Sequence, residues 1–205
     1  NRGLCFRELG RYRDAVESFD RTLAIENDLG VIWYNRGLAL MELQDFGPAI
    51  ESFDRSLALE GDHFGSWYRR GVALAGLGRF PESVESFDHA VALEPDLPVA
   101  WYHRGLANAG MGRNREALRD LDHTLTLDPG HAAAWYQKGI LLHRQGRREE
   151  ALACLEKATR FDAENREAWY EKGRLLLELE RFGEGEKALA RALDLDPDNG
   201  EAWYL

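Results

Sequence analysis

The sequence predicts an all-α solenoid in which antiparallel helix pairs repeat along the chain, and three observations carry that prediction. Trp-Tyr stands at Trp33-Tyr34, Trp67-Tyr68, Trp101-Tyr102, Trp135-Tyr136, Trp169-Tyr170 and Trp203-Tyr204, so all six tryptophans obey one spacing of 34 residues. A glycine stands four residues after each internal Trp, at Gly37, Gly71, Gly105, Gly139 and Gly173, with Gly3 in the same register. Each unit also holds two apolar-periodic segments broken at a turn, the pattern of one helix-turn-helix per repeat.

We label the helices of a unit A and B and number each unit so that Trp is position 4. The chain enters inside a partial repeat (1–29), crosses full repeats at 30–63, 64–97, 98–131, 132–165 and 166–199, and leaves in the start of another (200–205). In the first full repeat, helix A is expected from about Val31 to Leu43 and helix B from about Pro48 to Leu59. In the next, Gly78 marks the turn from A to B and Pro95 the exit from B. Pro48 and Pro81 sit in the first turn of helix B, where a missing N–H costs nothing. Pro95, Pro129 and Pro197 follow the apolar ends Leu93, Leu127 and Leu195, where proline stops a helix.

Glycine inside a helix costs about 0.8–1.0 kcal/mol relative to alanine. Its recurrence in helix A therefore predicts a close approach by helix B, through Phe19, Phe53, Phe87, Leu121, Leu155 and Leu189. The tryptophan ladder is read as packing between units rather than as ligand contact.

These residues resemble the tetratricopeptide repeat family, whose 34-residue unit places Trp, Gly, a small residue, an aromatic and Pro at set positions; the small residue here is Ala15, Ala49, Ala117 and Ala151. The resemblance covers the whole chain and implies a right-handed superhelical solenoid, a single array over 1–205. Both ends fall inside helix A, and Asn1-Arg2-Gly3 carries neither an initiator Met nor a signal-peptide pattern. A segment of a longer array is expected, or an array completed by self-association through its exposed ends, where Trp203-Tyr204 would meet the helix around Leu4 and Phe6 of a neighbour.

The chain departs from the family in two ways. Position 7, usually leucine, is Arg2, Arg36, Arg70, Arg104, Lys138 and Lys172, while position 25 of helix B is Asp20, Asp54, Asp88, Asp122, Glu156 and finally Ala190. Salt bridges are expected at Asp20–Arg36, Asp54–Arg70, Asp88–Arg104, Asp122–Lys138 and Glu156–Lys172, fixing the register of adjacent repeats. Asn114 and Arg148 replace the aromatic found at Tyr12, Phe46, Phe80 and Phe182, and Ser83 and Gly185 replace alanine, so looser packing is expected around the fourth and fifth units.

The resemblance implies that positions 2, 5, 9, 12 and 13 of helix A line a concave face. Position 5 supplies Tyr34, Tyr68, Tyr102, Tyr136, Tyr170 and Tyr204, position 9 supplies Leu4, Leu38, Val72, Leu106, Ile140 and then Arg174, and position 12 offers Arg7, Met41, Ala75, Ala109, His143 and Leu177. Glu167, Glu171, Arg174 and Glu178 are expected to make the last full repeat polar and mostly acidic. Small residues at Gly65, Ala75, Gly76, Ala109 and Gly110 are expected to leave space there. An apolar stripe edged with phenols suits a protein or peptide segment. Asn35 and Arg69 match two positions of the two-carboxylate clamp by which some family members grip a C-terminus, and both join the candidate groove. Leu4 and Gly65 stand where that clamp needs Asn and Lys, and its first Lys would precede residue 1, so no chaperone-tail clamp is expected.

Composition narrows the function further. A net charge of −10 with no run of Lys and Arg argues against nucleic acid as a partner. No apolar segment approaches the roughly 18 residues of a membrane span. Cys5 and Cys154 lie four units apart, too far for a disulfide, and suit a reducing cytoplasm. His63, His89, His103, His123, His131 and His143 are scattered without a metal-ligand spacing, His89 and His123 reading as solvated helix-B residues, and no metal or cofactor is expected. Gly76-Leu77-Gly78 and Gly110-Met111-Gly112 end helices rather than follow strands, so they are turns and not phosphate loops.

With no catalytic constellation, the chain reads as a non-catalytic scaffold that binds protein or peptide in the helix-A groove. The alternatives are a sensor or docking segment of a larger enzyme or switch protein, or a self-assembling array.

Overall fold

The computed structural model describes residues 2–197, and among these the chain forms twelve α-helices and no strand. Helix A of successive repeats is α1 (Arg2–Glu8), α3 (Gly30–Glu42), α5 (Phe64–Gly76), α7 (Pro98–Gly110), α9 (Ala132–Arg144) and α11 (Arg166–Glu178). Helix B is α2 (Tyr12–Leu23), α4 (Phe46–Leu59), α6 (Phe80–Leu93), α8 (Asn114–Leu127), α10 (Arg148–Phe161) and α12 (Phe182–Leu195). Residues 200–205, including Trp203 and Tyr204, lie outside the described residues.

The chain divides into two compact units, Asn1–Arg113 and Asn114–Leu205. In the first, α1 packs on α2, α3 on α4 and α5 on α6, and each helix B also packs on the next helix A. In the second, α8 packs on α9, α9 on α10, α10 on α11 and α11 on α12.

The turn from A to B is built the same way throughout. The residue at position 15 has a left-handed backbone, with φ of 71° at Gly10 and Gly78, 72° at Gly112 and 75° at Gly146. The next residue returns a hydrogen bond to the helix, as from the Arg79 N–H to the Leu74 carbonyl at 2.9 Å, the closure of a Schellman motif. Gln44 and Glu180 occupy the same place with φ of 58°, where an L side chain is strained by roughly 1–2 kcal/mol.

The core confirms the reading of the helix-A glycines. A Cβ at Gly3, Gly37 or Gly71 would meet the ring of Phe19, Phe53 or Phe87, at 2.5, 2.5 and 2.8 Å respectively, and these phenylalanines are buried. Leu155 and Leu189 occupy the same place beside Gly139 and Gly173. The ring fills the space that a side chain would take, and burying it contributes about 2–3 kcal/mol, which exceeds the helical cost of glycine.

The five described tryptophans each make a structural hydrogen bond. Trp33, Trp67, Trp101, Trp135 and Trp169 donate their indole N–H to the carbonyls of Asn27, Gly61, Pro95, Pro129 and Ala163, at 2.9, 2.7, 2.8, 2.9 and 3.0 Å. Each ring thus ties helix A to the turn that leads into it and satisfies a carbonyl with no helical partner.

Four of the five expected ladder bridges form. Arg36 and Arg70 meet Asp20 and Asp54 at 2.6 Å, Arg104 meets Asp88 at 2.7 Å, and Lys138 meets Asp122 at 2.5 Å. Arg36 and Arg70 also donate to Ser52 and Ser86 of their own repeats, so one guanidinium joins two units. Among the described residues Glu156 and Lys172 do not pair; the Lys172 ammonium stands 5.0 Å from the centre of the Trp169 ring. The ladder cations Arg36, Arg70, Arg104 and Lys138 also lie over their Trp rings and pair nonetheless, so the ring alone does not account for the missing rung.

At three of the substituted positions local groups stand in for the usual residues. Ser83 is buried and donates to the Gly71 carbonyl at 2.8 Å. Leu177 fills the place opened by Gly185, where a Cβ would lie 2.8 Å from it. Arg148 replaces an aromatic contact with an ion pair to Glu178 at 3.2 Å. Leu142, Leu155, Leu175 and Leu176 beside these sites are fully buried.

Candidate peptide-binding groove

The helix period brings positions 5, 9 and 12 to one face of each helix A. Tyr34, Tyr68, Tyr102, Tyr136 and Tyr170 are all half-buried there, as are Leu38, Val72, Leu106, Ile140 and Met41. The tyrosines pack as much as they present. The Tyr34 ring lies 6.0 Å from Phe53 and meets His63 edge-on at 4.7 Å. Tyr68 lies 6.0 Å from Phe87 and stacks with Phe64 at 5.9 Å. Burial pushes the phenols of Tyr68, Tyr102 and Tyr136 above their ordinary value; the Arg69 guanidinium partly offsets this at Tyr68, and Glu171 and Glu167 add to it at Tyr136.

The small residues do not all open space. A Cβ at Gly65 would meet the Tyr34 hydroxyl at 2.9 Å, and Cβ atoms at Gly76 and Gly110 would meet the rings of Phe46 and Phe80 at 3.2 and 2.8 Å. These three glycines receive side chains from the preceding repeat, which is why the expected room is absent there.

One cleft does form on this face in the first unit, lined by Arg7, Tyr12, Leu38, Met41, Glu42 and Arg69. It gathers three of the candidate residues. Asn35 is turned inward instead: its Nδ2 donates to the Val31 carbonyl at 2.7 Å, and its Oδ1 accepts from Arg7 Nη1 at 2.5 Å. In the second unit the corresponding face is polar. Glu178 takes His143 at 2.9 Å and Arg148 at 3.2 Å, while Arg174 pairs with Glu171 at 2.6 Å.

The histidines have local duties. His63 and His131 cap α5 and α9 by accepting from the Ser66 and Ala134 N–H groups at 3.2 Å, as Asn165 caps α11 at 2.8 Å. His89 is exposed on helix B, as expected, and stacks on the Trp67 ring at 4.1 Å. Among the described residues no group of three or more His, Cys, Asp or Glu side chains is placed to hold a metal ion, and no helix is long and apolar enough to cross a membrane.

Sequence models described as tetratricopeptide repeat match residues 3–31, 34–98, 108–175 and 150–205. The chain belongs to the tetratricopeptide repeat family. No curated protein sequence matches it. Solved tetratricopeptide-fold structures similar to it include the pilF protein of Pseudomonas aeruginosa, at 16% identity and a TM-score of 0.83, covering 98% of this chain and 92% of that one. PilW, described as a type IV pilus biogenesis factor, aligns at 21% identity and a TM-score of 0.83, over 98% of this chain and 94% of that one. YrrB, described as a TPR protein with an unusual peptide-binding site, aligns at 21% identity and a TM-score of 0.73, over 92% and 97%. At these identities the likeness establishes the fold.

Proposed function

We propose that the protein is a non-catalytic cytoplasmic scaffold that holds a protein or peptide segment against the helix-A face. The observation that carries this reading is the cleft in which Leu38 and Met41 stay open between repeats while Arg7, Tyr12, Glu42 and Arg69 edge it. Aliphatic groups beside polar ones in a concavity supply burial and orientation together. The half-buried tyrosines support the same reading, since an anchored phenol offers contact area at small entropic cost. The peptide site named for YrrB, a protein of the same fold, is consistent with it.

The test is affinity capture from the source cell followed by mass spectrometry, comparing the wild-type chain with Leu38→Glu combined with Met41→Glu. The folded double variant loses the captured proteins, while Arg55→Glu on exposed helix B keeps them. Unchanged capture by a double variant with wild-type circular dichroism refutes the groove.

A further inference from the structure

Most cations on the helix-A side of this chain are spent on carboxylates. Arg36, Arg70 and Arg104 are neutralised by the ladder, and Arg174 by Glu171. Two that line the cleft are not. Among the described residues Arg7 and Arg69 make no ion pair, although each is held in place by an uncharged neighbour. Arg7 donates to Asn35, which is only 7% exposed and is itself anchored on the Val31 carbonyl. The Arg69 guanidinium lies over the Tyr68 ring, 5.4 Å from its centre.

A buried amide that orients a guanidinium leaves its charge intact, and a stacked guanidinium keeps its N–H edge free. Both groups are therefore preorganised for a carboxylate, so little rotamer entropy is lost when one arrives. Leu38 and Met41 line the same cleft and offer an apolar seat beside the charge.

We propose that this cleft recognises an internal acidic residue of a bound peptide, its carboxylate taken by Arg7 and Arg69 and a neighbouring aliphatic side chain seated on Leu38 and Met41. The inference rests on the groove reading and names the chemistry of its ligand. The carboxylate is that of a side chain and not of a chain end, because Asn35 has both ends of its amide engaged within the array, and Leu4 and Gly65 supply no further donor. Glu42 at the rim competes for the same guanidinium groups and moderates the affinity.

The test is fluorescence anisotropy of the 205-residue chain with a labelled octapeptide of alternating Glu and Leu, acetylated and amidated so that it has no terminal charge. Its partner probe has Gln in place of every Glu. The Glu peptide binds about tenfold more tightly than the Gln peptide, the size expected of one charge-assisted contact. Arg69→Gln, on an exposed residue, removes most of that difference by weakening the Glu peptide more than the Gln peptide; Arg7→Gln does the same, and Glu42→Gln tightens the Glu peptide.

Equal affinity for the two peptides overturns the proposal but leaves the groove standing, as does a wild-type preference that survives Arg69→Gln. Binding seen only after the amide cap is removed overturns it in favour of a C-terminal carboxylate. Failure of both peptides to bind also overturns this ligand chemistry, whereas the groove itself is judged by protein capture with the Leu38 and Met41 double variant.

Discussion

The ring of Phe53 occupies the place of a side chain at Gly37: a Cβ there would lie 2.5 Å from Phe53 Cε1. Alanine is favoured over glycine in a helix by about 1 kcal/mol, so on propensity alone Gly37→Ala would stabilise α3. The contact reverses the sign, because the buried ring must shift, and overpacking costs about 1–3 kcal/mol. Gly37→Ala is therefore expected to lower the midpoint of urea unfolding. The exposed Gly47, which has open space around its missing Cβ, gives the control, since Gly47→Ala should be neutral or stabilising.

This relationship was legible in the sequence because glycine and its facing Phe or Leu recur together at a fixed separation. The tryptophan staple was not. Its acceptors belong to Asn27, Gly61, Pro95, Pro129 and Ala163, which share a backbone carbonyl and no side-chain type. The capping residues were legible in principle, since His63, His131 and Asn165 hold one repeat position, but the other four histidines stand elsewhere in the repeat and blur that register. Reading Gly65 as open space failed for a different reason. What fills a small residue's place comes from the adjacent repeat, here the Tyr34 hydroxyl. Likewise Arg7 stood at a groove position, but only its bond to Asn35 and the absence of a carboxylate partner among the described residues make it a candidate binding group.

Position 15 offers a stabilising substitution. Glu180 holds a φ of 58° where four other repeats have glycine. The left-handed conformation costs a non-glycine residue roughly 1–2 kcal/mol, and glycine's greater freedom in the unfolded chain returns part of that. Glu180→Gly is expected to stabilise the α11–α12 hairpin by about 0.5–1 kcal/mol. Hydrogen exchange of the α12 amides would register it as slower exchange, and faster exchange would contradict the backbone argument.

The half-buried tyrosines make stability depend on alkaline pH. Burial holds the phenols of Tyr68, Tyr102 and Tyr136 above the ordinary value of 10.0. In the folded state these groups keep their protons at a pH where the unfolded chain has released them, so stability falls as pH rises through that value and beyond. Below it their contribution is fully present. Absorbance of tyrosinate near the high-pH limit should rise together with loss of helical circular dichroism for these three residues. Replacing Tyr102 with Phe should remove part of the pH slope.

The cation–carboxylate ladder can be weighed against its own missing rung. Arg70 bonds Asp54 at 2.6 Å with only a fifth of its side chain exposed, and Ser86 holds the same guanidinium from the other side. Screening by solvent at Asp54, which is half exposed, keeps such a pair to about 0.5–1 kcal/mol. A double-mutant cycle of Asp54→Asn and Arg70→Gln should return a coupling of that size, falling as salt is raised because the pair is partly solvated. The same cycle at Glu156→Gln and Lys172→Gln should return almost none, since these two side chains form no ion pair among the described residues, and the Lys172 ammonium stands 5.0 Å from the centre of the Trp169 ring. Equal couplings at the two sites would mean that the charges act through the mean field of neighbouring repeats, and the geometric assignment of register to individual bridges would fail.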